Sequence, residues 1–165
     1  MKNWYKTQRG YFAGALYDEM KKNKNIWLIT ADLGYKQFDK IRDEFPERYL
    51  NCGASEQAML GIAVGLAQEG RVPFCYTITP FFLRAAETIS LYLDGEHANV
   101  KLVGSGRDDE YKDDGPSHNA TKTQNFFATL KIMGSYPTDK DQVPRILEIM
   151  IESDKPWFLS LSRND

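Results

Sequence analysis

Glu56 has the most chemistry within reach of any residue in this sequence. It lies in residues 51–70, NCGASEQAMLGIAVGLAQEG, just after a Gly-Ala-Ser turn and with small and apolar residues on both sides. A glutamate in the first turn of a helix ordinarily serves the helix dipole as a surface carboxylate. Apolar company argues for partial desolvation instead, and a desolvated carboxyl can exchange its proton near neutrality. Gly61 and Gly65 stand four apart on one face of the same helix. A glycine pair is costly in a free-standing helix, so this spacing implies the close approach of another backbone.

Three further groups carry chemistry. Asp114 and His118 end the pentapeptide Asp-Gly-Pro-Ser-His inside a polar loop. There a carboxylate can accept hydrogen bonds, and an imidazole can donate or accept them. Phe81 and Phe82 open a helix, where aromatic rings ordinarily fill a core, and Arg84 follows them. Asp32, in Ala-Asp-Leu-Gly, closes an apolar run as a strand-end turn residue.

The elements that must position these groups alternate. Helical periodicity covers 7–22, 37–44, 56–69 (Ser55 as its N-cap), 80–93, 123–131 and 140–152. Short, apolar, β-leaning runs fall at 26–31, 49–52, 72–77, 101–104, 132–135 and 157–161. The pattern predicts an α/β fold, a doubly wound and mostly parallel sheet with helices on both faces. Ligands of such sheets sit beyond the carboxyl ends of the strands. The polar loops after Ala31, Cys52, Thr77, Gly104 and Leu161 all fall at that edge, and the one spanning 104–119 has the length of a functional loop.

Composition narrows the function classes. A chain of 165 residues fits one domain, 1–165, with a real core. A net charge of -2 argues against a nucleic-acid binder working through bulk charge. The longest apolar runs fall far short of the roughly 20 residues of a membrane helix, and no leader pattern opens the chain. Cys52 and Cys75, in separate apolar stretches, read as reduced core thiols rather than as a disulfide framework or metal site. The expectation is a cytoplasmic protein with no nucleic-acid or membrane partner and no metal ligands of its own. A doubly wound nucleotide-binding protein is disfavoured, because no Gly-rich phosphate loop of either usual kind is present.

Residues 51–70, followed by PFCYTITPFFLR at 73–84, resemble the pyrimidine-binding domain of transketolases and related thiamine-diphosphate enzymes. The resemblance runs from Arg9 to Arg163. It implies that Glu56 hydrogen-bonds the aminopyrimidine of thiamine diphosphate and tunes the proton transfer that activates the cofactor. It further implies that Phe81, with Ile78 or Phe82, walls that ring. Arg84 would lie near cofactor or substrate, and Asp32 would sit beside the cofactor. Asp114 is implied to read a sugar hydroxyl and His118 to bond the oxygen of the carbon being cleaved. Arg163 and Arg9 match cations that hold the far, anionic end of a substrate, a task suited to bidentate guanidinium groups.

Two positions depart from the family pattern. Gly106 stands where transketolases carry a histidine, and Lys36 where they carry a serine. Arg107, Asp108, Asp109, Glu110 and Lys112 add unusual charge to the same loop. The expected substrate is therefore a sugar or sugar phosphate that includes unusual anionic or nucleotide-linked forms, with Lys36 among its contacts. The sequence also lacks the Gly-Asp-Gly segment through which this family holds the diphosphate and its Mg2+ or Ca2+. That implies a separate diphosphate-binding subunit, most simply in an α2β2 heterotetramer, and a chain that stops short of the family's third domain. The competing expectation is a non-catalytic pyrimidine-domain module that regulates or scaffolds a larger enzyme.

Overall fold

Helix α1 (Gln8–Lys22) begins where the Thr7 hydroxyl accepts the Gly10 amide at 3.2 Å, an N-cap that satisfies one orphaned donor. Its buried side, Phe12, Ala13, Leu16 and Met20, follows the helical period and faces the sheet. The computed structural model describes residues 6–163. Six strands follow in turn: β1 (Ile26–Thr30), β2 (Tyr49–Asn51), β3 (Val72–Ile78), β4 (Lys101–Ser105), β5 (Met133–Ser135) and β6 (Trp157–Leu161). They pair in the order β2-β1-β3-β4-β6-β5, every pair parallel. The expected doubly wound α/β architecture is present.

Burial on both faces explains why the central strands are continuous apolar runs. Alternate residues serve alternate faces. Phe74, Tyr76, Trp157, Leu159 and Leu161 face α1 and α6 (Val143–Glu152), whereas Cys75, Leu102 and Phe158 face the other side. That second face is covered by α3 (Glu56–Gln68), by α5 (Thr121–Ala128) and by the helical segment 79–95. Its centre is an aromatic stack. Phe127 lies flat on Phe158 with centroids 4.0 Å apart, and Phe82 meets both edge-on. Aromatic pairs of this kind add about 0.5–1.5 kcal/mol beyond the area they bury.

Several boundaries differ from the periodicity, each for a local reason. The helix expected at 37–44 is α2 (Asp39–Glu44), because the amides of Gln37 and Phe38 both turn back to the Gly34 carbonyl at 3.0 Å. The helix expected at 123–131 starts at Thr121, after the Asn119 side chain accepts the Thr121 amide at 3.0 Å. The first turn of the helix expected at 140–152 is a 3-10 turn, Lys140–Gln142, ahead of Pro144 in α6. Ser55 stands at the N-cap of α3 as expected, but its side chain makes no capping bond.

The largest difference concerns 80–93, expected as a single α-helix. It is a tight 3-10 stretch, Thr79–Ala85, then one α-helical turn, α4 (Ala86–Thr88), then a wide π stretch, Ile89–Gly95. Pro80 lacks the amide that a regular first turn leaves open, and three residues per turn place every third side chain on one line. Phe82, Ala85 and Thr88 accordingly point into the protein, while Phe81 and Arg84 emerge at the sheet edge.

Candidate functional site

The strand order reverses on either side of β1 and β3, and a crevice at the carboxyl ends of such strands is the expected place for a ligand. Glu56, in the first turn of α3, lies there with 2% of its surface exposed. The Thr77 hydroxyl at the end of β3 donates to Glu56 Oε1 at 3.5 Å. Arg84 Nη1 donates to both carboxylate oxygens, at 3.0 and 2.9 Å. The two partners differ in burial, since the arginine side chain is 51% exposed and the glutamate 2%. A buried carboxylate needs such a partner to offset desolvation, yet an arginine so wet can leave without opening the core.

The arginine also packs on an aromatic wall. Its guanidinium carbon sits 4.0 Å from the centroid of Phe81, and the Phe81 and His118 rings meet edge-on with centroids 5.1 Å apart. Glu56, Arg84, Phe81 and His118 are thus joined in one chain of contacts spanning α3, the 3-10 stretch and the long loop. Ile78 ends β3 almost fully buried. Phe82, the alternative wall residue, has 0% exposure and is occupied by its contacts with Phe127 and Phe158. It offers no surface to a ligand here and belongs to the aromatic stack beneath the 3-10 stretch.

The loop after β4 is held from below by its own charges. The Glu110 carboxylate accepts the amides of Arg107 and Arg163, at 2.9 and 2.8 Å, and the Ser162 hydroxyl. Arg107 donates to the Ser160 carbonyl and, at 3.2 Å, to the buried Gln8 side chain. Gln8 in turn accepts the Ser162 amide at 2.9 Å. Burial pulls the Arg107 guanidinium below its ordinary value, with Glu110 and Asp108 opposing that shift. Much of the charge that looked available for a substrate is therefore spent in tying the loop to α1 and β6. Asp108, Asp109, Lys112 and Asp114 remain exposed.

Sequence reasoning passed over Tyr111, which organises the rest. A Cβ added at Gly106, whose φ is +83°, would collide with the Tyr111 ring, so the ring fills the room a side chain at 106 would take. The phenol oxygen accepts from Arg9 Nη1 at 3.4 Å and is 3.1 Å from the Ser105 hydroxyl. The Arg163 guanidinium lies 4.8 Å from the ring centroid, and the His118 ring lies 6.4 Å away. The signal that could have found it is the bare Gly106 with an aromatic residue five positions on.

Arg9 and Lys36 line one cavity of about 300 Å3 with Thr7, Gly10, Tyr35 and Gln37. Arg9 and Arg163 meet through Tyr111, so the three cations expected at the anionic end of a substrate are linked through Arg9. Lys36 is exposed, has φ +63° and lies 5.6 Å over the Tyr35 ring. Asp32, exposed and with φ +53°, opens on a neighbouring hollow that includes Asn51, whose side chain accepts the Asp32 amide at 3.0 Å. Gly61 and Gly65 meet nothing within 4 Å, so no other described residue makes the close approach their spacing implied. Among the described residues, no three His, Cys, Asp or Glu side chains are grouped to hold a metal ion. None of the helices among them is long and apolar enough to cross a membrane.

The family model that describes the pyrimidine binding domain of transketolase matches residues 6–165. A relative from Methanocaldococcus jannaschii, described as a putative transketolase C-terminal section, is 30% identical over 164 residues, covering 98% of this chain and 52% of its own. Human transketolase is 33% identical over 141 residues, covering 84% of this chain and 22% of the enzyme. Among solved structures, a split-gene transketolase described as an inactive beta4 tetramer superposes with a TM-score of 0.83 at 28% identity, covering 96% of this chain and 52% of that one. This chain therefore spans about half the length of the archaeal relative.

Proposed function

The chain belongs to the transketolase pyrimidine-binding domain family, and from that membership we propose that it is the small subunit of a two-chain, thiamine-diphosphate-dependent transketolase. In this reading it works in the cytoplasm with a separate subunit that holds the diphosphate through Mg2+ or Ca2+, as an α2β2 heterotetramer. The pair transfers a two-carbon ketol unit between sugars or sugar phosphates. The observation that carries the reading is the buried Glu56 carboxylate at the sheet edge, paired with a cation that is half exposed to solvent.

The side chains present fit an aminopyrimidine. A carboxylate stands ready for a ring nitrogen, and the Phe81 ring and Ile78 offer an apolar wall beside it. Asp32 is placed at the neighbouring strand end. Thiamine diphosphate, when bound, supplies the electron sink for carbon–carbon cleavage. Glu56 then holds the proton exchanged with the ring nitrogen, and the Phe81 shelf excludes water from that exchange. Arg84 gives up the carboxylate and turns toward cofactor or substrate. Asp114 accepts a hydrogen bond from a sugar hydroxyl, and His118 bonds the oxygen on the carbon being cleaved. Arg9, Lys36 and Arg163 take the anionic end.

Two names support the two-chain reading without extending beyond their own proteins: a C-terminal section in the archaeal relative, and an inactive tetramer of one subunit type in the split-gene structure. The test pairs the chain with a partner captured from native lysate on thiamine diphosphate and magnesium, then replaces Glu56 with Gln. Loss of transfer by about 10²–10⁴-fold with assembly intact is the expected result. Ordinary turnover by Glu56→Gln would sink the assignment. A complex that binds no cofactor would put the regulatory module in its place.

A further inference from the structure

Tyr111 joins groups from four parts of the chain. Arg9 of α1 donates to its hydroxyl, Ser105 at the end of β4 shares that hydroxyl, Arg163 after β6 covers its ring, and His118 stands beyond the ring on the loop side. Among the described residues, neither Arg9 nor Arg163 forms an ion pair with a carboxylate, and Arg9 Nε is buried without a hydrogen-bond partner. Both guanidinium groups lie against one phenol side chain, Arg9 at its oxygen and Arg163 over its ring. A phenol fixes their positions without neutralising them, which leaves their charge for a ligand.

The position of the ring adds a second constraint. It stands directly over Gly106, in the space that a side chain at that position would fill. Glu110, the residue before Tyr111, pins the loop to the amides of Arg107 and Arg163, so the ring has little freedom to withdraw.

We propose that Tyr111 is a specificity-determining residue: its hydroxyl and ring set where Arg9 and Arg163 present their guanidinium groups, and so which anionic ketoses the site accepts. The proposal rests on the transketolase reading for the identity of the substrate, but not for the arrangement of the cations. Tyr111 is a positioning residue, acting through the two arginines. It contributes to binding of the anionic end and leaves the proton chemistry at Glu56 alone.

Tyr111→Phe keeps the ring over Gly106 and removes only the hydroxyl. In the assembled two-chain enzyme, KM is measured for a five-carbon ketose phosphate and for erythrulose, a neutral ketose. The expected result is a KM about tenfold higher for the phosphate and changed less than about twofold for erythrulose, the worth of one charge-assisted hydrogen bond. Equal shifts for both donors, or no shift for either, overturn the proposal while leaving the transketolase reading in place. If the wild-type assembly transfers no ketol unit, that reading fails, and inorganic phosphate titrated into the chain alone decides the role of Tyr111. Weaker phosphate binding by Tyr111→Phe than by wild type then supports it, and equal binding overturns it.

Discussion

Gly104→Ala is expected to destabilise the chain by about 2–4 kcal/mol, and Thr79 is the reason. A Cβ at 104 would overlap Thr79 Oγ1 and stand 3.1 Å from both Thr79 Cβ and Phe158 Cε2. Overpacking of this kind costs about 1–3 kcal/mol. The Thr79 hydroxyl cannot simply move aside, because it donates to the Gly106 carbonyl at 2.6 Å and lies 3.4 Å from that of Ser105. Losing that bond and leaving a buried carbonyl unpaired adds about 1–3 kcal/mol, against roughly 0.5–1 kcal/mol gained from a stiffer unfolded chain. Thr79→Ala alone loses the hydrogen bond but creates no overlap, so it should cost about 1–2 kcal/mol. The double variant is then expected to be little worse than Thr79→Ala, a coupling of about 2 kcal/mol, where distant sites add to within about 0.5 kcal/mol. Urea unfolding at fixed chain concentration measures all four corners of the cycle. Additive costs would refute the reasoning, because they would mean that the 3-10 stretch carrying Phe81 and Arg84 is not seated on β4 through this hydroxyl.

Other outcomes follow from buried groups. Lys101 is fully buried, donates to the carbonyls of Ser153 and Lys155, and is pushed down to about 8 by burial, with Asp154 opposing. Between pH 8 and 10 the unfolded chain still holds a proton that the folded chain has released, so stability rises with pH by up to about 2–3 kcal/mol; Lys101→Met should flatten that rise in a pH series of unfolding curves. Arg48 donates to the carbonyls of Met20 and Asn23 at the end of α1 and lies 4.5 Å from the Phe45 ring centroid. Arg48→Ala should cost about 2 kcal/mol, read as a Tm lowered by about 4–8 °C; an unchanged Tm would refute it. Burial raises both thiols, far more at Cys75 than at the half-buried Cys52, so a thiol reagent at pH 8 should modify Cys52 slowly and Cys75 only on unfolding.

The order of helices and strands was legible because the central strands β1, β3, β4 and β6 are buried on both faces and the longer helices on one, so period and apolar run length carried the assignment. What escaped was set by geometry that no periodicity encodes. The apolar pattern of 80–93 is compatible with an α-helix, and only the seating of Thr79 against Gly104 and the start at Pro80 reveal a tighter coil. Glu56 was legible from its apolar company and Asp114 and His118 from their motif, although their roles remain proposals. The inward roles of Arg107 and Glu110 were hidden, because their partners, Gln8, Ser160 and Ser162, lie about 50 or more residues away. Tyr111 was hidden for the same reason: its meaning comes from Gly106 beneath it and from two arginines at opposite ends of the chain.

The wetness of Arg84 has a consequence for time. An exposed side chain changes rotamer in picoseconds to nanoseconds, whereas opening a packed core or a loop takes microseconds or longer. Among the described residues the cation over Glu56 is held by the carboxylate and the face of Phe81, so exchanging it for a ligand requires that ion pair to break but no packed core or loop to open. On the proposed reading, the pace at which this half of the site loads is then set by the meeting of two subunits.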